Sequence, residues 1–163
     1  MNRPDNIKKE DALIIWKNFS GTRDSYNPDG GKRSFNLVLT PEEAQVYLDE
    51  GWHVKKREPK DGEGETLYYL PCKVSYSNKP PKVCMITGKN KVVLDEDTIG
   101  ILDDKEFERA DVVITPYIWK MGGKEGIAAY LKTLYVVPVK DEFEDKYGRF
   151  DEVGPDNDEI PFG

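Results

Sequence analysis

Turn-forming residues break this chain about every ten positions, and nearly every stretch between the breaks is short and rich in β-branched or aromatic residues. ALIIWKNF (12–19), KRSFNLVL (32–39), WHVKKRE (52–58) and LYYLPCKVSY (67–76) read as strands. So do KVCMIT and KVVL on either side of GKN, and the longer runs ADVVITPYIWKM (110–121) and GIAAYLKTLYVVPV (126–139) around MGGKEG. The breaks are SYNPDGGKR (25–33), PKDGEGET (59–66) and SNKPPK (77–82), each built on Gly, Pro or Asn. No long helices alternate with the strands, which argues against a doubly wound parallel sheet. Seven or eight strands with one or two short helices in a small barrel or sandwich is the expectation.

One helix announces itself. Thr40-Pro41-Glu42-Glu43 supplies an N-cap, a proline in the first turn and a glutamate three residues after the cap; Gly51 supplies a stop. Ala44, Leu48 and Val46 are its expected apolar face. Residues 95–107 hold a short helix or a turn. The alternation predicts buried rows of Phe35, Leu37 and Leu39, of Trp52 and Val54, and of Leu70, Cys72 and Val74. Residues 1–10 are polar and expected to fray.

Charge divides the chain. Of its 31 acidic and 24 basic residues, nine and two lie beyond residue 140, which leaves 22 of each in the body; the net charge of −7 belongs to the end of the chain. A neutral core with an acidic interaction tail is the reading, with residues 1–140 as one domain and 141–163 as a largely disordered segment too polar to repay its ordering entropy. The two cysteines, Cys72 and Cys84, lack any metal-binding spacing and are expected as buried free thiols. The sequence MNRPDNIKKED at the start has no apolar run and no stretch is long enough to span a membrane, so a cytoplasmic setting is expected.

No catalytic set nominates itself. The single histidine, His53, rules out multi-histidine metal sites, and PDGGKRS (28–34) lacks the spacing of a phosphate-binding loop. Asp103-Asp104 and Asp95-Glu96-Asp97 could hold Mg²⁺ in a nuclease, although a solvated acidic turn is far commoner. No cofactor is implied.

Aromatic and basic residues, by contrast, recur together. Single-strand binding needs cations along a groove and rings on which bases stack. Trp16-Lys17 and Phe19, Arg23 and Tyr26, Lys32 and Arg33 before Phe35, Lys55, Lys56 and Arg57 after Trp52, Lys73 and Tyr76 before Lys79, and Trp119-Lys120 all fit that pattern. In 110–121, Val112, Ile114, Ile118 and Lys120 share one face, and Val113, Thr115, Tyr117, Trp119 and Met121 the other. Two sizeable rows on one strand leave one of them open to a ligand.

The end of the chain, DNDEIPF (156–162), resembles the acidic tip of bacterial-type single-stranded DNA-binding proteins. The stretch F-S-G-x-x-x-x-Y-N-x-x-G-x-K-R-x-F, Phe19 to Phe35, followed by a helix and Gly51-Trp52-x-Val54-Lys55, is similar to the OB-type single-stranded DNA-binding proteins of bacteriophages. That resemblance implies an OB-type barrel that coats single-stranded DNA during replication or recombination, without strong sequence preference, in a host cytoplasm. Phosphates would meet Lys17, Arg23, Lys32, Arg33, Lys55, Arg57, Lys79 and Lys120; bases would stack on Trp16, Tyr26, Tyr76, Tyr117 and Trp119. Asp156, Asp158, Glu159, Ile160, Pro161 and Phe162 would recruit replication or recombination proteins. Gly163 departs from the pattern by moving the terminal carboxylate off Phe162, and the segment lacks a long linker. A β-barrel adaptor that binds no DNA, favoured by the neutral body, and a metal-dependent nuclease at Asp103 and Asp104 are the alternatives.

Overall fold

The computed structural model describes residues 2–25, 27–77 and 79–140. Among them are nine strands: β1 (Ile7–Lys9), β2 (Ile14–Asn18), β3 (Arg33–Leu39), β4 (Lys55–Arg57), β5 (Leu67–Val74), β6 (Lys82–Thr87), β7 (Asn90–Leu94), β8 (Phe107–Met121) and β9 (Lys124–Pro138). A helix, α1 (Pro41–Glu50), follows β3, and a 3-10 helix covers Ile99–Asp104. The chain is thus mainly β with two short helices, as its punctuation predicts; the tail expected at 141–163 lies outside the described residues.

The sheet runs in the order β1-β8-β9-β5-β3-β2, with β4 on β5 and the β6–β7 hairpin on β9. Its two ends are two halves of one chain segment, because only residues 10–13 separate β1 from β2. Asp11, at φ 49°, bends the chain between them. The Ala12 amide donates to Ala110 O of β8 at 2.7 Å, while the next residue's carbonyl, Leu13 O, accepts from Val38 N of β3 at 2.9 Å. One short segment therefore stitches both ends of the sheet together and rolls it into a small barrel, leaving few open edges.

At Ile7–Lys9 this corrects the expectation that residues 1–10 fray. Ile7 is buried and pairs with Ile114. Lys9 Nζ donates to Val38 O at 2.9 Å and to Glu43 Oε1 at 2.7 Å, tying β1 to β3 and α1. Polar composition concealed a strand whose alternate residues have work to do on both faces. The strand expected at 52–58 shortens to Lys55–Arg57, because Trp52 turns inward and makes only a single bridge to Ile127.

Helix α1 begins as its sequence dictates. Thr40 Oγ1 accepts from Glu43 N at 3.1 Å and Glu43 Oε1 accepts from Thr40 N at 2.9 Å, a reciprocal cap worth about 1 kcal/mol. Gly51 ends it at φ 101°, a left-handed conformation. Its inward face is Ala44 and Tyr47; Val46 and Leu48, expected there, are exposed. The helix makes only a narrow contact, so one alanine and one tyrosine fill the space.

Strand parity holds elsewhere. Phe35, Leu37, Leu39, Leu70, Cys72, Val74 and Trp52 are all buried, and Phe19 stacks on Phe35 with ring centres 5.5 Å apart. Cys72 and Cys84 are free and buried, and burial pushes the Cys72 thiol far up. In β9 the buried row Ile127, Ala129, Leu131 jumps to Leu134, Val136. The jump occurs where Val113 pairs with Thr133 and Ile114 with Leu131, leaving Lys132 as a bulge. β5 runs parallel to β9 before this bulge and β6 after it.

Candidate nucleic-acid interface

Outward residues of six strands form one surface. On β5 the outward residues are Tyr69, Pro71 and Lys73, alternating with the buried row. Tyr69 lies opposite Val38 of β3 and Lys55 of β4. Lys73 lies opposite Ser34 of β3 and Tyr130 of β9, and Tyr130 lies opposite Thr115 of β8.

Trp16 joins this surface through a backbone distortion. Ile14 packs against the core, so simple alternation would send Trp16 inward too. Instead the β2–β3 register shifts between Ile15 and Asn18, and Trp16 takes φ 47°. A positive φ is uncommon for a bulky residue and marks a site where the backbone is held in an unfavourable conformation. The bulge re-aims the indole outward. It meets Tyr69 edge-on, with centroids 5.0 Å apart and planes at 89°. The Arg57 guanidinium lies over Trp16 at 5.6 Å, within cation–π range. Trp16 remains 49% exposed.

A second group sits four residues further along β5, about 13 Å at the usual strand rise. Lys73 Nζ lies 5.8 Å from the Tyr130 ring, and Tyr130 meets Tyr117 at 5.8 Å and 74°. Tyr117 is 58% exposed. Beyond it, β8 and β9 continue as a two-stranded arm to the turn at Gly122-Gly123, both glycines at positive φ. Trp119 shares the face of Tyr117 and lies across Gly126 on the paired strand. A Cβ there would come within 2.7 Å of Trp119 Cζ2, so only glycine permits this position of the indole. Lys120 takes the arm's other face, 3.9 Å from Glu125.

The surface therefore brings together Trp16, Lys55, Arg57, Tyr117 and Trp119 of the expected set. Others are elsewhere. Arg33 follows the parity of Phe35 and points away from Ser34 and Lys73. Its Nη1 lies 3.7 Å from Glu96 Oε1, its Nη2 donates to Glu96 O at 3.3 Å, and its guanidinium stacks on Tyr76 at 5.5 Å. Arg33 thus has the packing role that its sequence context did not suggest. Tyr76 is half-buried beside it; burial raises its hydroxyl pKa, Arg33 opposes that, and Asp95 and Glu96 add to it. Lys17 turns to the Phe107 ring at 5.4 Å. Arg23 and Lys32 are exposed on the loop before β3, and Lys79 is exposed before β6. Tyr26 lies outside the described residues.

Asn27 links Thr22 to Lys32 across that loop. Asn27 is buried, and its side-chain amide donates to Thr22 O at 3.2 Å and to Lys32 O at 3.1 Å. Asp103 accepts from Phe19 N at 2.7 Å and Ser20 N at 2.9 Å, so both carboxylate oxygens serve the backbone. Among the described residues no three His, Cys, Asp or Glu side chains are grouped to hold a metal ion, and no helix is long and apolar enough to cross a membrane.

Tyr69 and Tyr130 were missing from the expected set. The signal was present: each alternates against a buried row, Leu70 and Cys72 in one case, Ala129 and Leu131 in the other. Lys73 stood among the recurrent cations and is now placed between them.

Comparison with known proteins follows the same direction. The model of the phage ssDNA-binding domain family matches residues 1–161. The fold is similar to that of the single-stranded DNA-binding protein from bacteriophage Enc34 in complex with ssDNA, with a TM-score of 0.54 and 12% identity over 85% of this chain and 89% of that one. The C-terminal truncation of the Enc34 protein gives 0.52 and 13%, over 83% and 87%. No curated protein sequence matches the chain.

Proposed function

The chain belongs to the phage ssDNA-binding domain family, and we propose that it binds single-stranded DNA, with little preference for sequence, on the outward face of β2, β3, β4, β5, β9 and β8. The observation that carries this reading is the pairing of exposed rings with cations on one face: Trp16 and Tyr69 with Arg57, Tyr130 and Tyr117 with Lys73. Every base offers a π-face, so stacking on such rings is tolerant of sequence, while Lys and Arg meet the phosphates. The Trp119 arm extends the platform. Lys55 adds a cation beside Tyr69. Arg23, Lys32 and Lys79, on neighbouring loops, supply longer-range attraction, and Lys17, Lys120 and Arg33 have lesser parts. The existence of an Enc34 complex with ssDNA supports the choice of ligand for this fold.

Residues 1–140 act as the binding core and 141–163 as an acidic interaction segment. Ile160 and Phe162 are apolar anchors for a partner, Pro161 limits the ordering cost, and Asp156, Asp158 and Glu159 steer to a basic rim. The role is to coat and protect single strands in phage replication or recombination within the host cytoplasm and to gather proteins there, without catalysis. Tryptophan fluorescence titrated with oligo-dT at low and high salt tests the core of this reading: quenching at low salt that weakens as salt rises is expected. An unchanged signal and no gel shift with single strands would reject it in favour of the adaptor.

A further inference from the structure

Strand β7 is an open edge. Among the described residues it pairs with β6 alone, and its outer residues are unusually apolar for an edge: Val92 is 42% and Val93 64% exposed. The β6–β7 turn is two residues, Gly88-Lys89, with Gly88 at φ 60° and Lys89 not at positive φ, the pattern of a turn with glycine first. Thr87 and Asn90 are then a hydrogen-bonded pair, and the alternation of an antiparallel ladder makes Val92 and Leu94 bonded to β6 as well. Lys91 and Val93 are left directing their N–H and C=O groups away from β6.

We infer that β7 pairs antiparallel with β7 of a second copy of this chain, about a two-fold axis at Val92. In that register Lys91 faces Val93 of the second copy, and Val93 faces its Lys91. The four outward backbone groups of each copy are then all used. Val92 meets its own counterpart, and Lys89 stands opposite Asp95 of the second copy, so the charges at both ends of the paired segment are complementary. A register centred on Val93 instead would need the backbone of Asp95, whose amide already donates to Thr98 Oγ1 and whose carbonyl already accepts from Ile99 N. The pairing joins two β9-β6-β7 sheets into one. It leaves the face of Tyr69 and Tyr130 free, because β5 contacts β9 before the Lys132 bulge and β6 after it. Two five-residue strands form an interface of the small, transient class, so the dimer is concentration-dependent.

Sedimentation of the full chain from low micromolar to several hundred micromolar concentration is expected to show a monomer–dimer equilibrium. Val92→Lys and Val93→Pro should each weaken it at least tenfold; the proline removes an N–H that no bond among the described residues uses. Affinity for a short oligo-dT should not change, which separates this inference from the nucleic-acid reading. Cysteine cross-linking reads the register without relying on those variants. Directly opposed residues of a non-bonded antiparallel pair have Cα atoms about 4.5 Å apart, inside the range a disulfide spans. Val92→Cys should therefore oxidise to a covalent dimer and Val93→Cys should not, with the native Cys72 and Cys84 buried and silent. A monomer at all concentrations, a dimer indifferent to both substitutions, or cross-linking through Val93→Cys alone would each overturn the inference.

Discussion

The indole of Trp119 lies across Gly126, and the space it occupies exists only because residue 126 has no side chain. Gly126 is not at positive φ. Its identity is set by the ring opposite rather than by the backbone.

Gly126→Ala should therefore dislodge Trp119 without unfolding the barrel. Single-strand affinity is expected to fall about tenfold, the equivalent of one lost base stack at about 1–3 kcal/mol. A shifted tryptophan emission in the free protein would report the displacement, and Trp119→Ala in the same background should add no further loss.

Tyr130→Ala and Trp16→Ala should each weaken binding by about 1–3 kcal/mol, whereas Tyr76→Ala, on the opposite side of the sheet, should leave affinity unchanged. Lys73→Ala is expected to lower the slope of log affinity against log salt by about one. Fluorescence anisotropy with a labelled oligonucleotide at several salt concentrations measures all four.

Asp103 holds the loop that starts at Phe19, with two charge-assisted hydrogen bonds. Asp103→Ala should destabilise the protein by about 2–3 kcal/mol, since it leaves two backbone donors without their acceptor. Urea unfolding gives the value. A metal-dependent cleavage activity lost in this variant would favour the nuclease alternative instead.

Acid should loosen the junction of β1, β3 and α1. Glu43 titrates below its ordinary value of 4.5: burial alone would raise it, but the Lys9 hydrogen bond, the Thr40 amide and the Lys9 charge together outweigh that. The stabilisation is thus fully present above the unfolded value near 4.5 and is lost as pH falls through the lower folded value. Asp111 behaves the same way, chiefly through the Asp11 amide. Melting temperature followed from pH 7 downward should fall below that range more in the native chain than in Glu43→Gln. The difference is expected to be about 1 kcal/mol or less, as for other partly exposed pairs.

Removal of residues 151–163 should tighten binding to single strands at low salt, because it deletes acidic charge that competes with phosphates for the core's cations. The gain should vanish at high salt, where such attraction is screened. Equal affinities at low salt would show that this segment serves partners only.

Local signals in the sequence carried most of the fold. Period-two alternation placed Leu37, Leu70 and Trp52 in the core, and Thr40 with Glu43 fixed the start of α1, because each of these depends on neighbours within a few residues. Relations across the sheet were harder to read. β1 is formed by two lysines and one isoleucine, and only its partners Val112 to Ile114 make it a strand. Arg33 looked like a free cation because Glu96, its partner, is far along the chain. Trp16 reaches the face of Tyr69 by violating the parity of its own strand, through a bulge that no periodicity reveals. Tyr69 and Tyr130 are legible one at a time as outward residues, but the alignment of Tyr130 with Lys73 follows from β5 running parallel to β9, which only the folded chain displays.

The stitch at Ala12 and Leu13 has a consequence for how the protein is made. Residues 7–12 are synthesised well before their ladder partners, which lie at 110–114. That segment must wait, unpaired, for about a hundred residues of synthesis before the ring can shut. Anything that occupies that segment in the meantime keeps the nascent barrel open.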